Sequence, residues 1–184
     1  AFENLISNAE RRMLRNAEDS TFVRISDFVG VIPSITGKIE LVYEGEQEGP
    51  AKVAHILVSK AIRTQFAHYF PSPEVIKKKQ QENPYQEITN WFSKGNDVDI
   101  LTNASFEQYK KNLHNVKGLE KVVDKYQPKL DENTKLLFME FVLHGLAEFS
   151  LLSKHRLDRG LQFKDMLSSM FTLSDDDTDY DDED

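Results

Sequence analysis

"VGVIPSITGKIELVYEGEQEG", residues 29–49, holds a Gly37-Lys38 pair after a short apolar stretch. A nucleotide phosphate loop reads G-x-x-x-x-G-K-[ST], because backbone N–H groups cradle the phosphates and the final hydroxyl holds Mg²⁺. Here the preceding glycine is Gly30, which leaves six residues between the glycines. Ile39 follows Lys38 and has no hydroxyl, and Pro33 has no N–H to offer a phosphate. The stretch is therefore not a phosphate loop, and two other patterns compete for it. Ile39, Leu41 and Tyr43 alternate with Lys38, Glu40 and Val42, as in a short strand. Phe28, Ile32, Ile35, Ile39 and Val42 instead step by 4, 3, 4 and 3, a helical stripe. The stripe explains more residues and predicts a helix over 26–43, started by Ser26, kinked at Pro33 and weakened at Gly37.

Outward from this stretch the pattern stays helical. Residues 2–16 carry one apolar stripe through Phe2, Leu5, Ile6, Ala9 and Met13. Pro50 opens a helix that runs through Val53, Ile56, Leu57 and Phe66 to Phe70, where "PSP" at 71–73 stops it and marks the main boundary. "EVIKKKQQEN" reads as an exposed helix or a flexible linker, and "YQEITNWFSKG" as a short helix ended by Gly95. "DVDILT" reads first as an extended connection, with a short strand as the alternative. Helices are predicted over 104–114, 117–126 and 131–153, the last so apolar that it should be buried on more than one side. "FKDMLSSMF" closes the series as a short helix. The expected fold is all-α, with a helical domain over 1–70, a second over 71–172 and a disordered acidic tail over 173–184.

The net charge of −8 resides in the tail, where residues 174–184 carry eight carboxylates. Without them, 23 acids face 23 Lys and Arg. A broad basic surface for nucleic acid is thus unsupported. The absence of Cys excludes disulfides and thiolate metal sites and fits a reducing cytoplasm, the expected location. No apolar run approaches the roughly 20 residues of a membrane span, so no membrane partner is expected. No secretory signal is visible. The start, "AFENLISNAERR", lacks Met and is already helical in pattern, as expected for a fragment of a longer protein.

Candidate site residues are few. His55, His68, His114, His144 and His155 lack the spacing of a zinc site, and no metal ligands are assigned. No catalytic set is readable, and none is assigned. "YEGEQEG" sets Tyr43, Glu44, Glu46 and Glu48 beside two glycines. It reads as a contact loop for a basic partner or as a solvated turn. Arg11 and Arg12 face a nucleotide phosphate from an adjacent domain or form surface ion pairs with neighbours such as Glu10. The D-x-D spacings of the tail lack the Gly and Glu of a calcium loop.

The segment "AFENLISNAERRMLRN" resembles the first lid helix of AAA+ ATPases of the magnesium-chelatase I-subunit and MoxR type. "RISDFVGVIPSITGKIELVYEGEQEG" is similar to the later lid helix of one branch of these proteins, annotated in that branch as magnesium chelatase or as sigma-54-interacting ATPase. "MEFVLHGLAEFSLLSK" and "DMLSSMF" resemble its C-terminal region. The likeness spans most of residues 2–171 and is most specific over 31–49. It implies an AAA+ helical lid followed by a C-terminal helical domain, with Gly37-Lys38 in the lid. The Walker motifs and catalytic acid would lie in an AAA+ core outside this chain, so no catalytic residue carries over. ATP and Mg²⁺ are expected for the parent protein, with no cofactor in this chain. The implied partners are its own core, neighbouring ring subunits and a client protein. Nucleotide-driven rotation of the lid would be passed to that client. An independent helical protein-interaction module without nucleotide linkage is the alternative. A small enzyme is disfavoured because no catalytic groups converge.

Overall fold

The first helix, α1 (Phe2–Arg15), buries Ala9 and Arg12 on one face and leaves Phe2 exposed at its start. The structure, a computed structural model, describes residues 1–40, 49–80 and 82–166. After a loop the chain forms a 3-10 helix (Ile25–Val31) that runs directly into α2 (Ile32–Thr36). The single kinked helix expected over 26–43 is therefore two short helices, and residues 37–40 have left helical structure. Pro33 explains the break, because it falls in the first turn of α2, where a missing N–H is tolerated. The remainder of that stretch, 41–43, lies outside the described residues.

The longer helices fall close to their expected places. They are α3 (Pro50–Tyr69), α4 (Pro73–Lys79), α5 (Gln86–Phe92), α6 (Phe106–Asn115), α7 (Leu119–Tyr126) and α8 (Glu132–Glu148). Their starts follow local chemistry. Proline opens α3 and α4, Ser105 accepts the Gln108 N–H at 3.3 Å, and Asp131 accepts the Thr134 N–H at 3.0 Å.

The centre of the core is α8, where the whole run from Met139 to Leu146 is buried. Helix α3 packs against it through Phe66, whose ring lies 5.8 Å from that of Phe141 and 5.6 Å from that of Phe149. A Cβ on Gly145 would sit 2.1 Å from Cδ2 of Phe66, so only glycine lets α3 lie this close. The buried cluster spans the expected 70/71 boundary, joining Ile62, Phe66 and Phe70 to Tyr85, Leu136 and Phe163.

Two sequence expectations give way to a small sheet. "DVDILT" contains a true strand, β1 (Val98–Leu101), rather than an extended connection. The helix predicted to continue to 153 stops at Glu148, and the chain returns as a hairpin of β2 (Ser153–Leu157) and β3 (Gly160–Lys164). Phe163 and Lys164, assigned above to a last helix, thus belong to a strand, and most of that segment lies outside the described residues. The sheet is antiparallel with order β1-β3-β2, and Leu161 pairs with both Ile100 and Arg156.

The stop at Glu148 has a local cause. Ser150 takes a left-handed φ of 56°, its N–H bonds Ala147 at 3.0 Å, and the Leu151 N–H bonds Leu146 at 2.9 Å. This is a Schellman stop built on serine instead of glycine. In the sheet, a Cβ at Gly160 would lie 2.3 Å from the Ile100 carbonyl oxygen. The described residues are thus mainly helical, with one three-stranded sheet. No described helix is long and apolar enough to cross a membrane.

Candidate functional site

Polar side chains inside the fold form a chain of contacts from α1 to α8. Arg12, 2% exposed, makes an ion pair with Asp27 of the 3-10 helix. Its Nη2 donates to the Phe22 carbonyl at 2.7 Å and the Thr21 hydroxyl at 3.2 Å. The other Asp27 oxygen accepts the Arg24 N–H at 2.8 Å. Arg24 donates to the Ala104 carbonyl at 2.8 Å, and its guanidinium lies 4.1 Å from the centre of the Tyr109 ring. The Tyr109 hydroxyl donates to Glu140 at 2.7 Å. Glu140, fully buried on α8, also accepts the N–H groups of Ile25 and Ser26, both at 2.8 Å. One turn further, His144 Nε2 lies 3.7 Å from Glu140, within ion-pair range when protonated but beyond hydrogen-bond length.

Two cations and two carboxylates are balanced here, which is what burial of charge requires. Burial pushes the Glu140 carboxyl up, but His144, the Tyr109 hydroxyl and the Ile25 N–H outweigh it and hold the carboxyl below its ordinary value. Burial, and then the Glu140 carboxylate, drive the Tyr109 hydroxyl well above its ordinary range. Burial and the neighbouring Arg12 lower Arg24 to about 10, which still leaves it charged at neutral pH.

Beside this network lies a cavity of about 750 Å³ between the 3-10 helix, α2, α3, α8 and the β2–β3 hairpin. Ile25, Phe28, Ile32 and Ile62 give it an apolar wall. The hairpin adds Lys154, Arg156, Asp158 and Arg159. Lys154 is paired with Glu148 at 2.6 Å. Arg156 Nη1 approaches His55 Nε2 at 3.5 Å. Burial, followed by Arg156 and Lys154, pushes the His55 pKa down. Ser26 and His144 also line the cavity. The Ser26 hydroxyl and both ring nitrogens of His144 are buried without a hydrogen-bond partner among the described residues.

The sequence-predicted site residues separate. Arg11 is exposed, while Arg12 points inward, so of the pair only Arg11 is open to a partner in this structure. Tyr43, Glu44, Glu46 and Glu48 lie outside the described residues. Of the histidines, His55 and His144 both line the cavity, and no three His, Asp or Glu gather as metal ligands among the described residues. The sequence reading missed Glu140, Tyr109 and Arg24. The available signal was Glu140 and His144 at i, i+4 inside the otherwise apolar "LLFMEFVLHGL", where ionisable groups need partners.

The arrangement offers a rigid polar linkage and a cavity suited to binding. Comparison of the chain with known protein families, with curated proteins and with solved structures returned no match.

Proposed function

We propose that this chain is the lid and C-terminal helical region of an AAA+ ATPase of the magnesium-chelatase I-subunit or MoxR type, working in the cytoplasm. ATP binding and hydrolysis in a core outside this chain turn the lid, and the helical region passes the turn to a client protein or a chelatase complex. Tyr43, Glu44, Glu46 and Glu48 supply contact surface to the core or client, and Arg11 is the lid-helix arginine open to nucleotide or a neighbouring subunit.

Beyond the resemblance of residues 2–171, one observation carries this reading. Helix α1 is tied to the 3-10 helix by Arg12 and Asp27, and that helix is tied to α8 by Glu140. Such a linkage suits a part that must transmit rotation, because movement of α1 cannot be absorbed within the first 40 residues. A lid that gates nucleotide must contact it differently in two states. The described residues do not themselves fit Mg²⁺-nucleotide: they contain no phosphate loop and no gathered carboxylates.

The test is to read the coding sequence on the N-terminal side of residue 1 and to express it together with this chain. The expected result is a G-x-x-x-x-G-K-[ST] motif and Mg²⁺-dependent ATP hydrolysis that the 184-residue chain lacks. A preceding sequence without that motif, or hydrolysis by this chain that is lost on Lys38→Ala, overturns the proposal. Client binding by this chain with no core attached would favour the independent interaction module.

A further inference from the structure

We propose that the cavity between the 3-10 helix, α3, α8 and the β2–β3 hairpin binds a small amphiphile with an apolar body and an oxyanion head, a carboxylate or a phosphate monoester. The inference does not rest on the ATPase reading, needs no nucleotide and can be tested on this chain alone.

Three observations converge. The volume, about 750 Å³, lies within the roughly 300–1,000 Å³ of small-molecule sites, and the wall formed by Ile25, Phe28, Ile32 and Ile62 suits an apolar body. At the hairpin end, Arg156 and Arg159 have no acidic partner among the described residues. Arg156 instead faces a histidine nitrogen, and Asp158 is the only acid among the described lining residues. Positive charge gathered on low-dielectric walls attracts and holds an anion. Third, Ser26 and His144, 6% and 4% exposed, line the same cavity, and their side-chain polar atoms lack a hydrogen-bond partner among the described residues, His144 having only the Glu140 carboxylate at 3.7 Å. Buried polar groups nearly always have a partner.

The two ends differ in chemistry, which fixes the orientation. The head meets the exposed hairpin arginines, where an ionised group keeps part of its water. The body extends inward over Ile25 and Ile62 toward His144. A purely apolar molecule would leave the arginines uncompensated, and a small inorganic anion would leave the apolar wall uncovered.

Titration calorimetry of the 184-residue chain with octanoate and octyl phosphate tests the assignment. One of the two should bind saturably at one site, and whichever binds more tightly identifies the head group. Octanol, acetate and inorganic phosphate should each bind at least about tenfold more weakly, since each lacks one end of the recognised chemistry. Arg156 and Arg159 are exposed, so the Arg156→Ala/Arg159→Ala double variant should fold normally and lose at least about tenfold in affinity for the anion. In long-range ¹H–¹⁵N spectra the His144 ring signals should shift on titration while those of the exposed His68 stay still. No saturable binding of either anion, equal binding of octanol, an unaffected double variant or unmoved His144 signals would each overturn the proposal. Binding that appears only after truncation following Leu173 would assign the cavity to the chain's own acidic tail and overturn the free-ligand assignment.

Discussion

The carboxylate of Glu140 lies 2.8 Å from the amide nitrogen of Ser26 and accepts its N–H across 114 residues of chain. The first amides of any helix have no partner within the helix. In most helices a nearby serine, threonine or aspartate supplies one. Here a buried glutamate from the central helix does so, and it takes the Ile25 N–H as well.

Removing Glu140 should therefore be among the most damaging single changes in the chain. Glu140→Ala leaves two amides, the Tyr109 hydroxyl and nearby arginine charge without their partner. The expected loss is about 3–5 kcal/mol, the range for breaking a buried charged network. Glu140→Gln keeps one acceptor oxygen and should lose less. Urea unfolding of both variants checks the order, and equal losses would show that the carboxylate's charge, not its shape or a remaining acceptor oxygen, carries the stability.

The same carboxyl should make stability depend on acid. Its folded pKa lies below the ordinary 4.5. A group depressed in the folded state adds stability above its unfolded pKa and loses it as pH falls through the folded one. Burial raises the Asp27 carboxyl, which works the opposite way in both proteins, so the Glu140 contribution is read as the difference: from about pH 5 toward about 2 the parent's urea midpoint should fall relative to that of Glu140→Gln. The groups facing this carboxyl are His144 on α8, Tyr109 on α6, and Arg24 and Asp27 at the 3-10 helix. Parallel declines would place the acid sensitivity elsewhere.

Gly145 gives a test in which two rules predict opposite signs. Helix propensity alone says that Gly145→Ala stabilises by about 1 kcal/mol. The Phe66 ring, 2.1 Å from the added Cβ, says that it overpacks the core. Overpacking should win, with a net loss of about 1–3 kcal/mol. Repeating the change in a Phe66→Leu background should reduce the loss, and thermal melts of the four proteins complete the cycle.

The paired arginines should part company. Arg12→Ala strands Asp27 inside the fold and should cost about 3–5 kcal/mol. Arg11→Ala, on the exposed side of the same helix, should stay within about 0.5 kcal/mol. Adjacent residues of one type thus differ by register alone, and similar losses would mean that α1 is turned differently.

Register is also what the sequence made legible and what it hid. The apolar stripe of α1 is a strong periodic signal, Pro50 and the prolines at 71 and 73 bracket α3, and the apolar mass of α8 marks a buried helix, so these three helices begin close to where they are expected. The strands are only four or five residues long; β1 alternates in burial but is too short to stand out, and β2, with Lys154, His155 and Arg156, has no clean alternation. The end of α8 was hidden because Leu151 and Leu152 prolong the apolar run, while Ser150 makes the left-handed stop that glycine usually announces. The polar network was illegible for another reason. Arg12, Asp27, Tyr109 and Glu140 come from four separate elements, and single-chain periodicity says nothing about which buried faces meet. The cavity follows the same pattern, since His55 and His144 are 89 positions apart and come to line one cavity through the packing of α3 and α8.

The 114-residue span between Ser26 and Glu140 also has a consequence in time. A ribosome adding about 5–20 residues per second takes roughly 6–23 seconds to cover it. Throughout that interval the 3-10 helix has been made and its capping carboxylate has not. β1 waits in the same way for β3, its partner in the sheet. Arg12 and Asp27 can pair at once, but the N-terminal third of the chain emerges with the Ile25 and Ser26 amides and the Arg24 guanidinium still lacking the acceptors they have in the fold. It has every reason to remain unfolded until α8 arrives, and assembly should proceed late and nearly at once rather than from the N-terminus onward.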